Sequence, residues 1–182
     1  FVRDGAVNRN EHRRNSAFLD GTTGSNRANS IADIAPFLKD GLSAYEAATV
    51  LGSKEVLNEG NRHHAIRAIA RNKKFRRLGA DASTVLHATT GSNRANAIQD
   101  IAPFLISHLS AMDGAEILGC PSQLAEGSRH FAIRVIAEHQ KFGPLGHEAV
   151  HIIDGTTGSN RQAAVSTLKA HLVPGVSSES LL

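Results

Sequence analysis

The phrase GTTGSNR at residues 21–27 returns as TTGSNR at 89–94 and again as GTTGSNR at 155–161, a spacing of 67 residues in a chain of 182. The copies run beyond the phrase. TTGSNRANSIADIAPFL at 22–38 matches TTGSNRANAIQDIAPFL at 89–105, and LSAYEAATVLG at 42–52 matches LSAMDGAEILG at 109–119. A weaker copy lies halfway, as EGNRHHAIRAIA at 59–70 and EGSRHFAIRVIA at 126–137. The shared arginines Arg27, Arg62, Arg94, Arg129 and Arg161 are separated by 35, 32, 35 and 32 residues, so the unit is about 33 residues long. One unit of this size cannot bury an apolar face alone, and a self-similar period of this kind therefore predicts stacked neighbours.

Apolar residues stand four positions after each arginine (Ile31, Ile66, Ile98, Ile133, Val165) and seven positions after it (Ile34, Ile69, Ile101, Ile136, Leu168). That spacing is one face of a helix. A second short amphipathic segment follows, as in SAYEAATVL, where Ser43 and Glu46 fit a capping box. The last apolar residue of this second segment, Leu51, Leu86, Leu118 or Ile153, stands 24 residues after its arginine in each complete unit. The expected fold is all-α: an α-solenoid or superhelix of two-helix units over residues 15–182, interrupted within a repeat at its C-terminal end, with residues 1–14 an atypical or incomplete segment. All variation in length falls in the connection from one unit to the next, where an array of this kind usually carries its function.

Hydrophobic residues make up 41% of the chain and charged residues 20%, a balance that favours a globular core over disorder. One cysteine, Cys120, excludes an internal disulfide framework and a Cys-rich zinc site. No apolar run has the length of a membrane span, so an intracellular protein without membrane attachment is expected. The net charge of +3 leans mildly towards a polyanionic partner.

A helix opening as Leu-Ser-x-x-Glu-Ala-x-x-x-Leu, then a Gly-containing loop, then a helix of the type Asn-Arg-x-x-Ala-Ile-x-x-Ile-x-Pro-Phe-Leu resembles the repeat of transcription-activator-like effector (TALE-like) proteins. The resemblance covers essentially residues 15–182. It implies a right-handed superhelix of helix–loop–helix repeats wound along the major groove of duplex DNA, with one base per repeat. It also implies that the loop residues just before each glycine approach base edges: Thr22 and Thr23, Asn58 and Glu59, Thr89 and Thr90, Ala125 and Glu126, Thr156 and Thr157. If the protein is effector-like, delivery to a host nucleus goes with it. Thr can offer a methyl or hydroxyl to a base, and Glu can accept from cytosine N4. The competing reading is that Thr-Thr-Gly is loop chemistry and that Glu caps the next helix.

Independently of that resemblance, a glycine and small polar residues at the start of a helix leave backbone amides free at the positive end of the helix dipole, which suits a phosphate. The candidate phosphate-binding residues are Gly24, Ser25, Asn26 and Arg27; Gly60, Asn61 and Arg62; Gly91, Ser92, Asn93 and Arg94; Gly127, Ser128 and Arg129; and Gly158, Ser159, Asn160 and Arg161. The alternative is structural. Each arginine lies on the core-facing stripe, so its stem can pack inside while the guanidinium bonds loop carbonyls. Two functions follow: a duplex-DNA-binding array, or a HEAT-like solenoid scaffold that binds a protein.

The remaining candidates are weaker. His63, His64 and His130 reflect repeat descent more than metal binding, and Cys120 has no counterpart in the other units. The basic run RNKKFRR at 71–77 reads as a solvated turn within one hairpin. No phosphate-binding loop, catalytic carboxylate pair or nucleophile signature is present, so no enzyme activity, cofactor or metal is expected, and the chain is expected to be a monomer.

Overall fold

The computed structural model describes residues 17–121, 124, 126–139 and 141–182. The expected N-terminal segment 1–14 lies outside the described residues. Among the described residues the protein is all-α, with nine α-helices and no strand. The helices are α1 (Gly24–Ile34), α2 (Ala44–Leu51), α3 (Glu59–Ala70), α4 (Ala82–Val85), α5 (Gly91–Ile101), α6 (Ala111–Leu118), α7 (Glu126–Glu138), α8 (Val150–Ile153) and α9 (Gly158–Leu168). Longer helices alternate with shorter ones. Each longer helix packs on the next longer one, α1 on α3, α3 on α5, α5 on α7 and α7 on α9, and the shorter helices contact in the same succession.

Local sequence explains the boundaries. Pro36 and Pro103 have no amide with which to extend the i→i−4 ladder, and α1 and α5 give way there to 3-10 turns at Ala35–Phe37 and Ala102–Phe104. Ser43 caps α2 by accepting from the Glu46 amide at 3.2 Å while the Glu46 carboxylate accepts from the Ser43 amide at 2.7 Å. Ser110 and Asp113 form the same box on α6. Neither α4 nor α8 has such a box, and each is a single turn of four residues. The expected second helix of the hairpin is therefore wholly α-helical only in the units that begin at Arg27 and Arg94; in the unit of Arg129 a 3-10 turn at His147–Ala149 runs directly into α8.

The apolar stripe lies where the periodicity predicts. Ile31, Ile66, Ile98, Ile133 and Val165 are buried, and so are Ile69, Ile101, Ile136 and Leu168, in one continuous core; Ile34 is half-buried. The turns between the longer and shorter helices are joined laterally by isolated parallel bridges, Leu42 to Phe75, Leu78 to Leu105, Leu109 to Phe142 and Leu145 to Leu172. Leu42 illustrates the pattern: its amide donates to the Lys74 carbonyl at 2.9 Å and its carbonyl accepts from the Arg76 amide at 2.8 Å. These bonds satisfy main-chain groups that would otherwise be lost in burying Leu42, Leu78, Leu109 and Leu145. The basic run takes part in the bridging. Phe75 is buried, Arg76 Nε donates to the Gly41 carbonyl at 2.7 Å, and Lys74 pairs with Asp40 at 3.0 Å.

Candidate nucleic-acid interface

Four of the five repeated arginines are buried, with Arg27, Arg62, Arg94 and Arg129 between 1% and 4% exposed. The guanidinium groups of Arg62, Arg94 and Arg129 bond carbonyls at the C-terminal ends of the shorter helices. Arg94 Nη1 donates to Leu86 O at 2.7 Å and Nη2 to Ile117 O at 3.0 Å, so one side chain ties the ends of α4 and α6. Arg62 reaches Gly52 O at 2.7 Å, Arg129 reaches Gly119 O at 2.8 Å, and Arg27 reaches Leu19 O. Desolvation lowers the pKa of all four, to about 10 for Arg62 and for Arg94, which leaves them charged at neutral pH. The geometry is that of the packed stem and carbonyl-bound guanidinium. Arg161 is half-exposed and donates to Leu181 O at 2.8 Å and Leu182 O at 3.2 Å.

The threonine pairs divide by position. Thr22, Thr89 and Thr156 turn inward, and each hydroxyl donates at 2.6 Å to the carbonyl three residues earlier, on Leu19, Leu86 and Ile153. Thr89 and Thr156 are buried, so neither can reach a base edge. Thr23, Thr90 and Thr157 are exposed N-caps. Glu59 and Glu126 take the capping part of the alternative reading, across units. Glu59 Oε1 accepts from Thr90 N at 2.6 Å and from the Thr90 hydroxyl, and Glu126 Oε1 accepts from Thr157 N and, at 2.6 Å, from Thr157 Oγ1. Those bonds hold the Glu126 carboxyl below the usual carboxylate range. Asn58 is exposed and caps α3 by accepting from Asn61 N at 3.1 Å. Ala125 lies outside the described residues.

The helix starts differ in openness. In α1, α5 and α9 the N-cap threonine makes no side-chain bond to the helix amides, and the next residue, Gly24, Gly91 or Gly158, has φ of +58°, +51° or +49°. Only glycine takes that conformation freely, which explains why the phrase keeps it. Ser25, Asn26, Ser92 and Ser159 are exposed beside these amides, and Asn93 and Asn160 are half-exposed. Of the weaker copies, Gly60 and Gly127 are exposed, and Asn61 and Ser128 are half-exposed.

Two open grooves repeat at the 67-residue spacing along the shorter helices. The first, of about 840 Å³, is lined by Asp20, Tyr45, Thr49, Gly52, Thr84 and His87 among others; the second, of about 750 Å³, by His87, Met112, Glu116, Gly119, His151 and Asp154. Asp20, His87 and Asp154 are exposed and stand just before the threonine pairs, each followed by a residue of positive φ: Gly21, Ala88 and Gly155. Asp20, His87 and Asp154 stand outside the repeated phrase. Their signal was variation, Asp-Gly, His-Ala and Asp-Gly ahead of an unchanging Thr-Thr-Gly.

His63 is buried, His64 exposed and His130 half-buried, and no group of three or more potential metal ligands forms among the described residues. Cys120 is exposed in the second groove. No helix among the described residues is long and apolar enough to cross a membrane. In comparisons with known proteins, no family model, curated protein or solved structure matches the chain.

Proposed function

We propose that the chain is a TALE-like α-solenoid whose two-helix repeats bind duplex DNA, as a binding module rather than an enzyme. The observation that carries this reading is the threefold recurrence, at a fixed spacing, of one helix start whose N-cap threonine makes no bond to the first-turn amides, Thr23-Gly24-Ser25-Asn26, Thr90-Gly91-Ser92-Asn93 and Thr157-Gly158-Ser159-Asn160, with Glu59 and Glu126 bonding the amides of Thr90 and Thr157 themselves. Helix amides left open in this way favour anions. With the arginines engaged in the framework, the phosphate contacts fall to these amides and to the exposed serines and asparagines, and base contacts to the groove-lining residues that precede the threonines. Packing distances of roughly 10 Å between helices would place successive starts at a pitch that a wound backbone could follow.

Tyr45 and Met112 favour a second reading, a scaffold that binds a protein. They occupy equivalent exposed positions on α2 and α6, and each lines one of the grooves. Salt separates the two. Fluorescence anisotropy with a labelled random duplex should show binding at low salt that weakens steeply on going to moderate salt, through counterion release. Absence of binding to duplex at low salt would favour the protein-binding scaffold.

A further inference from the structure

The α3–α5 junction contains a polar triad that no other described junction repeats. His63 and Arg67 on α3 face Asp100 on α5: His63 Nδ1 lies 3.0 Å from Asp100 Oδ2, and Arg67 Nε donates to Asp100 Oδ1 at 3.1 Å. Arg67 Nη2 lies 3.1 Å from His63 Nε2. A guanidinium only donates, so Nε2 must be the acceptor and the ring proton sits on Nδ1, which is close to Asp100 Oδ2 but not aligned for a hydrogen bond, so that both of those buried atoms lack a hydrogen-bond partner. The Arg67–His63 bond is therefore made only with a neutral imidazole. A proton on Nε2 would cancel the arginine bond and set two cations against each other in a place where His63 is 7% exposed.

We propose that the α3–α5 junction is a proton-sensitive joint, held together by neutral His63 and loosened on acidification. Burial pushes the His63 pKa below the ordinary histidine value, Arg67 and then His64 push it the same way, and Asp100 opposes them. These are the groups that act on the ring: Asp100 from α5, and Arg67 and His64 from α3 itself, with none contributed by α1 among the described residues. The sign follows. A base whose folded pKa is depressed contributes stability above its unfolded pKa and loses it as pH falls through the folded one. The equivalent positions at the α7–α9 junction are His130, Arg134 and Thr167, and Thr167 spends its hydroxyl on Ala163 O. That position therefore has no carboxylate facing the histidine and arginine.

The test uses the whole chain. Ring NMR should show His63 titrating below 6.5, its ordinary value. Between pH 7.5 and 5.5, denaturant unfolding should show the protein losing stability relative to His63→Gln, whose amide can accept from Arg67 and donate to Asp100 without titrating. The loss should reach about tenfold in the folded-to-unfolded ratio per pH unit between the folded and unfolded pKa values. Amide protection in α5, taken relative to the slower intrinsic exchange at lower pH, should fall on acidification before that in α9. A His63 that titrates at or above the ordinary value, a parallel loss in both proteins, or no early loss of protection in α5 would each overturn the proposal. The ring titration needs only the unaltered chain, so it decides even if His63→Gln fails to fold.

Discussion

Glu59, the first residue of α3, accepts the amide of Thr90 at 2.6 Å and so caps the start of α5 from 31 residues away. Glu126 and Thr157 repeat the bond between α7 and α9. Each carboxylate sits beside an amide cluster that would otherwise be open to a phosphate. If duplex DNA approaches these starts, the double substitution Glu59→Gln and Glu126→Gln should strengthen binding by about 2- to 5-fold at low salt, the scale of an exposed charge–charge contact. Gln can still accept from threonine, so stability should change little. Weaker or unchanged binding in a salt titration would show that DNA does not come near α5 and α9.

Arg94 and its neighbour Asn93 should respond in opposite ways. Arg94→Ala removes the guanidinium from Ile117 O, while Leu86 O keeps the Thr89 amide and hydroxyl, so the orphaned acceptor should cost about 1–3 kcal/mol. Asn93→Ala, at a half-exposed position, should leave the melting temperature unchanged. If thermal unfolding ranks the two equally, the buried guanidinium is not what ties α4 to α6.

The hairpins and the arginine row were legible because each is written locally: the 4–3 spacing gives the helix face, and Ser43 with Glu46 gives the cap within four residues. The extent of α4 and α8 was not, because their apolar positions match those of α2 and α6 while the capping boxes are missing. Nor were the ties across units. The Leu42–Phe75 bridge is made by main-chain groups that any residue carries, and nothing near Glu59 in the sequence points to Thr90. The resemblance to TALE-like repeats singled out the threonines, yet Thr89 is constant since its hydroxyl closes the preceding helix turn on Leu86. Asp20, His87 and Asp154 vary because they face solvent.

Two left-handed positions make a matched test of backbone strain. Gly52 has φ of +92°, and a Cβ built there would lie 2.6 Å from Arg27 Nη2, so Gly52→Ala should destabilise by more than about 1 kcal/mol through both backbone and contact. Ala88 has φ of +69° where Gly21 and Gly155 have +78° and +82°. Ala88→Gly should therefore gain up to about 1 kcal/mol by removing the Cβ penalty. Denaturant midpoints that moved the same way for both substitutions would contradict this account of the loops.

The last prediction concerns where sequence discrimination resides. The resemblance to TALE-like repeats pointed to Thr89 and Thr90, but Thr89 is buried with its hydroxyl spent and Thr90 is bonded to Glu59. His87 is exposed, lines both grooves, and stands where the other short loops carry Asp20 and Asp154. A histidine can donate to or accept from a base edge, whereas an aspartate only accepts, so His87→Asp should change base preference at about one position of a bound duplex. The change should be about 1–3 kcal/mol if the contact is direct. Binding to random duplex should fall only slightly, since the amides of α5 are untouched and one charge is added at the groove. Selection from a randomised duplex pool reads both quantities. A shift in preference on exchanging Thr90 but not His87 would return the reading to the threonines, and no shift from either would leave the grooves to a protein ligand.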